Sequence, residues 1–143
     1  MQYVFSTTQT KRYRFPTHTN ELVLDRCDAQ TSEVFLVVLQ PSQAPPLHQH
    51  HDTEQIFYIL EGQGTLTVGG EENKHAVDVG DVVRIPPSTL HSIQADGGKP
   101  LRYLAIDCFI NSRPTDEPTW DSHVKVVCEQ QGWNFDEIVA PRL

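Results

Sequence analysis

No stretch of this chain sustains an apolar repeat of 3.6 residues. What recurs is a series of short β-rich runs at residues 34–39, 55–60, 65–68, 82–85 and 101–110. Turn residues punctuate them: Gly69 and Gly70, Gly80 and Asp81, then Asp96, Gly97 and Gly98. That rhythm belongs to an antiparallel sandwich or barrel, and the lack of helical intervals excludes parallel βαβ units. Two Pro-rich places, 41–46 and 86–87, cannot sit in central strands, because proline removes a ladder donor. The fold expected is all-β. The stretch 3–24 alternates enough to supply edge strands. Residues 113–120, with Pro114 and Pro118, read as a linker to a last strand-like run at 124–128, and 132–139 as one helical turn or an extended arm.

Length and charge narrow the partners. At 143 residues the chain suits one domain spanning 1–143, with a core at about 35–110. Eleven Lys and Arg against nineteen Asp and Glu leave a net charge of −8, which repels a phosphate backbone and speaks against nucleic acid. Neither a signal-peptide core nor a bilayer-length apolar run is present, so no membrane is expected and the cytoplasm is the expected compartment. Cys27, Cys108 and Cys128 are odd in number and far apart, which fits buried reduced thiols better than a disulfide framework or a metal knuckle.

Strand parity bears on assembly. In 101–109 one face carries Tyr103, Ala105, Asp107 and Phe109, and the other Arg102, Leu104, Ile106 and Cys108. Residues 55–60 likewise set Phe57 and Ile59 opposite Ile56, Tyr58 and Leu60. Apolar groups on both faces need cover on the outside, from terminal arms or a second subunit; a homodimer is the expectation.

His48 and His50 stand at i and i+2, so on a strand both imidazoles project from one face and can converge on one cation. Taken alone, such a pair is more often a surface feature than a metal site. Its context is the run from Gln55 to Gly62 and a second block containing Gly80, Pro86 and His91. Together these resemble the paired motifs of the cupin superfamily: HxH, a spacer, an acidic or amide ligand and a glycine, then glycine, five residues, proline, a short turn and histidine. The resemblance implies a jelly roll or double-stranded β-helix barrel, with a divalent transition ion in its mouth held by His48, His50, Gln55 and His91. Zn, Ni, Fe, Mn, Co and Cu all suit these donors.

The family's carboxylate position, counted back from Gly62, holds Gln55; Glu54 fits only if the spacer is one residue shorter. Neighbours on a strand face opposite ways, and Gln55 shares its parity with Phe57 and Ile59, which favours it as the inward residue. Three imidazoles and an amide would leave the ion's charge uncompensated, strengthening its pull on an anionic substrate. His18, His51, His75 and His123 are expected at the surface.

Farther on, Asp107 and Phe109 share a face and Arg113 follows. An acid or base, an apolar wall and a guanidinium fork would suit proton transfer on an anion, with Phe57 and Tyr103 as further substrate-binding walls. The plainer alternative is that Asp107 caps a turn or pairs with Arg113. The combination resembles the small cupins that ketonise unsaturated uronates in pectin and alginate breakdown. It implies a metal-dependent isomerase or lyase acting on a small anionic or sugar-derived substrate. A cupin dioxygenase, or a non-catalytic module binding a sugar or other small molecule, are the alternatives.

Overall fold

A computed structural model describes residues 1–139, and all structural statements concern these. Nine strands are present among them: β1 Lys11–Arg14, β2 Thr19–Leu24, β3 Ser32–Leu39, β4 Thr53–Glu61, β5 Gln63–Val68, β6 Lys74–Asp78, β7 Val82–Ile85, β8 His91–Asp96 and β9 Leu101–Phe109. They form a six-stranded sheet, β1-β2-β3-β9-β4-β7, and a three-stranded one, β6-β5-β8, with every pairing antiparallel. The two sheets make the antiparallel all-β fold that the turn pattern predicts, a jelly roll as the resemblance implies, with β1 and β7 at the edges of the larger sheet.

The core lies between the sheets because the inward residues alternate. Along β9, Leu101, Tyr103, Ala105, Asp107 and Phe109 are buried while the intervening residues are half-buried. Phe35, Val37, Leu39, Phe57, Ile59, Val83 and Ile85 complete the inner face of the large sheet, and Leu66, Val77, Ile93 and Ala95 come from the small one. Ile56, Leu104 and Ile106 are half-buried on the outer face, where Tyr58 and Val82 are exposed.

Gly62 is the corner where the chain leaves β4 for β5 and so changes sheet. Its φ is +83°, and a Cβ there would collide with the Pro100 carbonyl oxygen. Gly62→Ala should therefore lower stability by about 3 kcal/mol, from left-handed strain plus the clash. Gly69→Ala, at φ +78° with open space around it, should cost only about 1 kcal/mol from strain alone. Urea denaturation of both variants checks this; equal losses would show that the close approach to Pro100 is irrelevant.

The run 124–128 is not a strand. It lies inside a helix, α1 Trp120–Gln131, which a second short helix follows, α2 Phe135–Val139. Thr119 Oγ1 accepts from the Ser122 N–H and Ser122 Oγ from the Thr119 N–H, each at 3.0 Å, closing a reciprocal cap. Gly132, left-handed at φ 74°, ends the helix. Trp120, Val124 and Cys128 recur every four residues and form its buried face. Burial of that face outweighs the strand preference of the valines. Trp120 packs 4.6 Å from Phe35 and edge-on to Tyr13 at 6.3 Å, both ring centroid distances. Through these contacts α1 covers inward-facing residues, not the outer face of β4 and β9. Among the cysteines only Cys128 is buried; Cys108 is half-buried and Cys27 is exposed beside the Asp25 carboxylate that caps a 3₁₀ turn at Arg26–Asp28. No helix among the described residues is long and apolar enough to cross a membrane.

Candidate metal centre

Two distant segments are stitched together to bring the histidines side by side. His48 and His91 form an isolated antiparallel bridge, with His48 N–H donating to His91 O at 3.2 Å and His91 N–H to His48 O at 2.9 Å. The Ser88 N–H donates to His50 O at 2.6 Å, and Ser88 is left-handed at φ 59°. Pro45 and Pro46 keep His48 and His50 out of the continuous ladders, whereas His91, beyond Pro86 and Pro87, opens β8 opposite Val68 of β5. As a result the ring centroids of His48 lie 5.0 Å from His50 and 4.4 Å from His91, with His50 and His91 6.2 Å apart.

The hydrogen bonds of these side chains set their chemistry. A carbonyl oxygen only accepts, so the contacts of His48 Nδ1 with Pro46 O (2.6 Å) and of His91 Nδ1 with Thr89 O (2.9 Å) place the proton on Nδ1. The Nε2 lone pair of each neutral ring is then available, and His91 Nε2 is buried with no partner. Burial pushes the imidazoles below their ordinary range, His50 to about 3 and His91 to about 4, and His48 in the same direction, so the rings are neutral near pH 7. Gln55 faces inward as its parity predicts. Its Nε2 donates to Asp107 Oδ1 at 2.8 Å, which leaves Oε1 buried and without a partner. Glu54 points outward, 3.9 Å from Arg84.

Among the described residues, no three His, Cys, Asp or Glu side chains are drawn together as a finished metal cage. The donors nonetheless fit a transition ion in kind. Neutral imidazoles with a fixed tautomer and a free amide oxygen are metal ligands, and an unpaired buried nitrogen and oxygen otherwise cost stability with no return.

Behind Gln55 lies a chain of buried charged groups of which only Asp107 is foreseen above. Arg26 donates to both oxygens of Glu33, Nε at 2.7 Å and a terminal nitrogen at 2.9 Å, and Glu33 is wholly buried. The other terminal nitrogen of Arg26 reaches Glu117 O at 3.0 Å, and the guanidinium covers the Phe109 ring at 5.2 Å. Asp107 sits opposite Glu33 across the β3–β9 ladder. Burial, then the neighbouring Glu33, raise the Asp107 pKa well above the carboxylate range, outweighing Gln55 and Arg26. One guanidinium thus faces a wholly buried glutamate and, behind it, an aspartate whose proton is held more tightly than an ordinary carboxyl group's.

Several expected roles are not met. Arg113 turns away from the histidines. Its guanidinium donates to Arg26 O at 3.3 Å and to Ala29 O, and it lines a separate shallow hollow with Gln30 and Pro118. It neither offers a fork for a substrate carboxylate in the barrel nor pairs with Asp107. Phe109 is buried beneath Arg26 and does not reach the cavity wall, whereas Phe57 and Tyr103 do, with ring centroids 4.7 Å apart. His51 and His75 are exposed as expected, but His18 and His123 are not surface groups. Both line the same cavity of about 550 Å³, His18 stacked on Phe15 and lowered by burial to about 3, His123 bonded through Nδ1 to Glu117 at 2.8 Å. They arrive on the turn between β1 and β2 and on α1, outside both motifs.

Comparisons agree with this geometry. An uncharacterized protein of Methanocaldococcus jannaschii is 47% identical over 58 residues, 41% of this chain and 45% of that one. A quercetin 2,3-dioxygenase of Bacillus subtilis is 31% identical over 94 residues, 64% of this chain and 27% of the enzyme. The chain thus spans less than half the length of either relative. Among solved structures, the polyketide cyclase RemF of Streptomyces resistomycificus superposes with a TM-score of 0.67 at 23% identity, covering 80% of this chain and 83% of that one. The model of the cupin domain matches residues 35–107, the span from the start of the core of β3 through Asp107, and takes in all four candidate ligands. With its two motifs zipped at the mouth of a jelly roll, the chain belongs to the cupin family.

Proposed function

We propose that the protein is a metal-dependent enzyme that binds a small molecule in its barrel and moves a proton on it, as an isomerase or lyase does. The observation carrying this is the pair of unpartnered buried atoms, His91 Nε2 and Gln55 Oε1, with the buried Asp107 carboxyl group hydrogen-bonded to that glutamine. His48, His50, Gln55 and His91 would hold the ion, which when bound supplies a Lewis acid for a carbonyl or hydroxyl oxygen. Asp107 is the proton carrier, and the amide of Gln55 keeps it aimed from 2.8 Å. Phe57 and Tyr103 form the wall. That enzymes are among the relatives supports catalysis; the reaction is our reading.

No lysine or arginine among the described residues lines the cavity, so nothing but the ion would offset a substrate's charge. This favours an uncharged substrate over the anionic one that the resemblance implies. The test combines elemental analysis of the purified protein with trials of unsaturated uronates and neutral hydroxylated compounds, each under air and under nitrogen. Stoichiometric metal with oxygen-independent turnover, lost in Asp107→Asn while the metal stays, is expected. Oxygen uptake would favour the dioxygenase reading, and inertness the binding module. A second copy of the chain is proposed to cover the outer face of β4 and β9; a monomer by light scattering would refute it.

A further inference from the structure

Two other buried polar atoms lack partners, and neither belongs to the ligand set: Trp120 Nε1 and Asn20 Oδ1. Both residues line the cavity, with relative exposures of 2% and 7%. An unpaired donor and an unpaired acceptor in one cavity wall mark where a ligand's own polar atoms belong.

The strand register fixes where Asn20 stands relative to the histidines. Gln55, Asp107 and Glu33 form one inward row across β4, β9 and β3; Phe57, Ala105 and Phe35 form the next; Ile59, Tyr103 and Val37 form the third, which continues into Asn20 and Tyr13. From Asp107 to Tyr103 is four residues of β9, about 13 Å at about 3.3 Å per residue. Trp120 meets Tyr13, the cross-strand neighbour of Asn20, and roofs the middle row through Phe35. Between the polar row of Gln55 and the row of Asn20 the wall therefore includes the rings of Phe57, Phe35 and Trp120, and no lysine or arginine lines it among the described residues.

We propose that the cavity takes an elongated, uncharged aromatic molecule bearing hydroxyl groups, one end at the histidines and the other read by Asn20 and Trp120. A ligand oxygen accepts from Trp120 Nε1–H, and a ligand O–H donates to Asn20 Oδ1. Flat rings fit because they lie against Phe57, Tyr103 and Phe35 at little entropic cost, whereas a sugar acid would bring in a carboxylate that no lysine or arginine there pairs. The inference takes the cavity as the substrate site of the proposed enzyme and names the substrate class.

Isothermal titration of the full chain with naphthalene-2,6-diol, naphthalene-2-carboxylate and galacturonate tests it, with zinc uptake measured separately. The diol should bind at least about tenfold more tightly than the other two. Trp120→Phe, which keeps a ring but loses the donor, and Asn20→Leu, which keeps the volume but loses the acceptor, should each weaken the diol about tenfold. Circular dichroism confirms that each variant is folded, and the phenylalanine variant keeps the test open should the leucine one fail to fold. Galacturonate binding as tightly as the diol, no diol binding, or diol binding indifferent to both substitutions would overturn the proposal. Zinc uptake without diol binding overturns this inference alone; diol binding without zinc uptake overturns the metal reading alone.

Discussion

His91→Ala should weaken zinc binding by more than about a hundredfold, yet leave the metal-free protein nearly as stable as before. Loss of a group that merely orients a ligand already costs about 10–100-fold in affinity, and His91 is proposed as a ligand itself. The stability argument turns on the unpaired Nε2. Alanine removes the bond from Nδ1 to Thr89 O, worth about 1 kcal/mol, and opens a small void, but it also removes a buried nitrogen whose desolvation costs about 1–3 kcal/mol. These contributions are comparable and opposed. Added zinc separates the two proteins. At free zinc a thousandfold above its dissociation constant the native chain gains about 4 kcal/mol, whereas a hundredfold weaker variant gains only about 1.4 kcal/mol. Urea denaturation with and without zinc measures both quantities, with His51→Ala as a control because His51 is exposed. Equal stabilisation of native and His91→Ala proteins by zinc would remove His91 from the ligand set.

Gln55 is legible from parity along β4, whereas His48, His50 and His91 stand out only through the resemblance to the paired cupin motifs; the i, i+2 strand argument does not place His48 and His50, which lie outside the named strands. Parity also placed Phe57, Tyr103 and Asp107 on the inner face. It failed at Arg113, because parity ends where the strand ends. Beyond Phe109 the chain turns so that Arg113 N–H donates to Gln30 O, and the side chain follows its backbone toward the turn at Arg26. The helix α1 was misread for a different reason. Val124, Val126 and Val127 favour a strand locally, and the signals against it, Thr119 with Ser122 at one end and Gly132 at the other, lie outside the valine run. Arg26, Glu33 and Glu117 carried no local signal. Their meaning arises only when a 3₁₀ turn, the start of β3 and the segment before α1 meet, which no spacing rule foretells.

That meeting point yields the other large effect. Arg26→Met should destabilise the protein by about 3–5 kcal/mol at neutral pH, because it leaves Glu33 and Asp107 buried together without a cation. The pH dependence follows from the direction of the Asp107 shift. A carboxyl whose folded pKa is raised contributes stability that is fully present below its unfolded value of 3.8, and that contribution is lost as pH rises through the folded value. Taking away the guanidinium, which works against that shift, pushes the folded value further up. The deficit of the variant should therefore shrink toward pH 4 and widen toward pH 8. A double replacement, Arg26→Met with Glu33→Leu, should recover most of the loss, since Asp107 then no longer faces a second buried carboxyl group and apolar groups of similar volume often match a buried ion pair. Urea denaturation at pH 5 and pH 8 distinguishes this from lost packing. A deficit that stays constant with pH, and that the double replacement does not relieve, would mean that Arg26 acts through its contacts with Phe109 and Glu117 O and not as the counter-ion of two carboxyl groups.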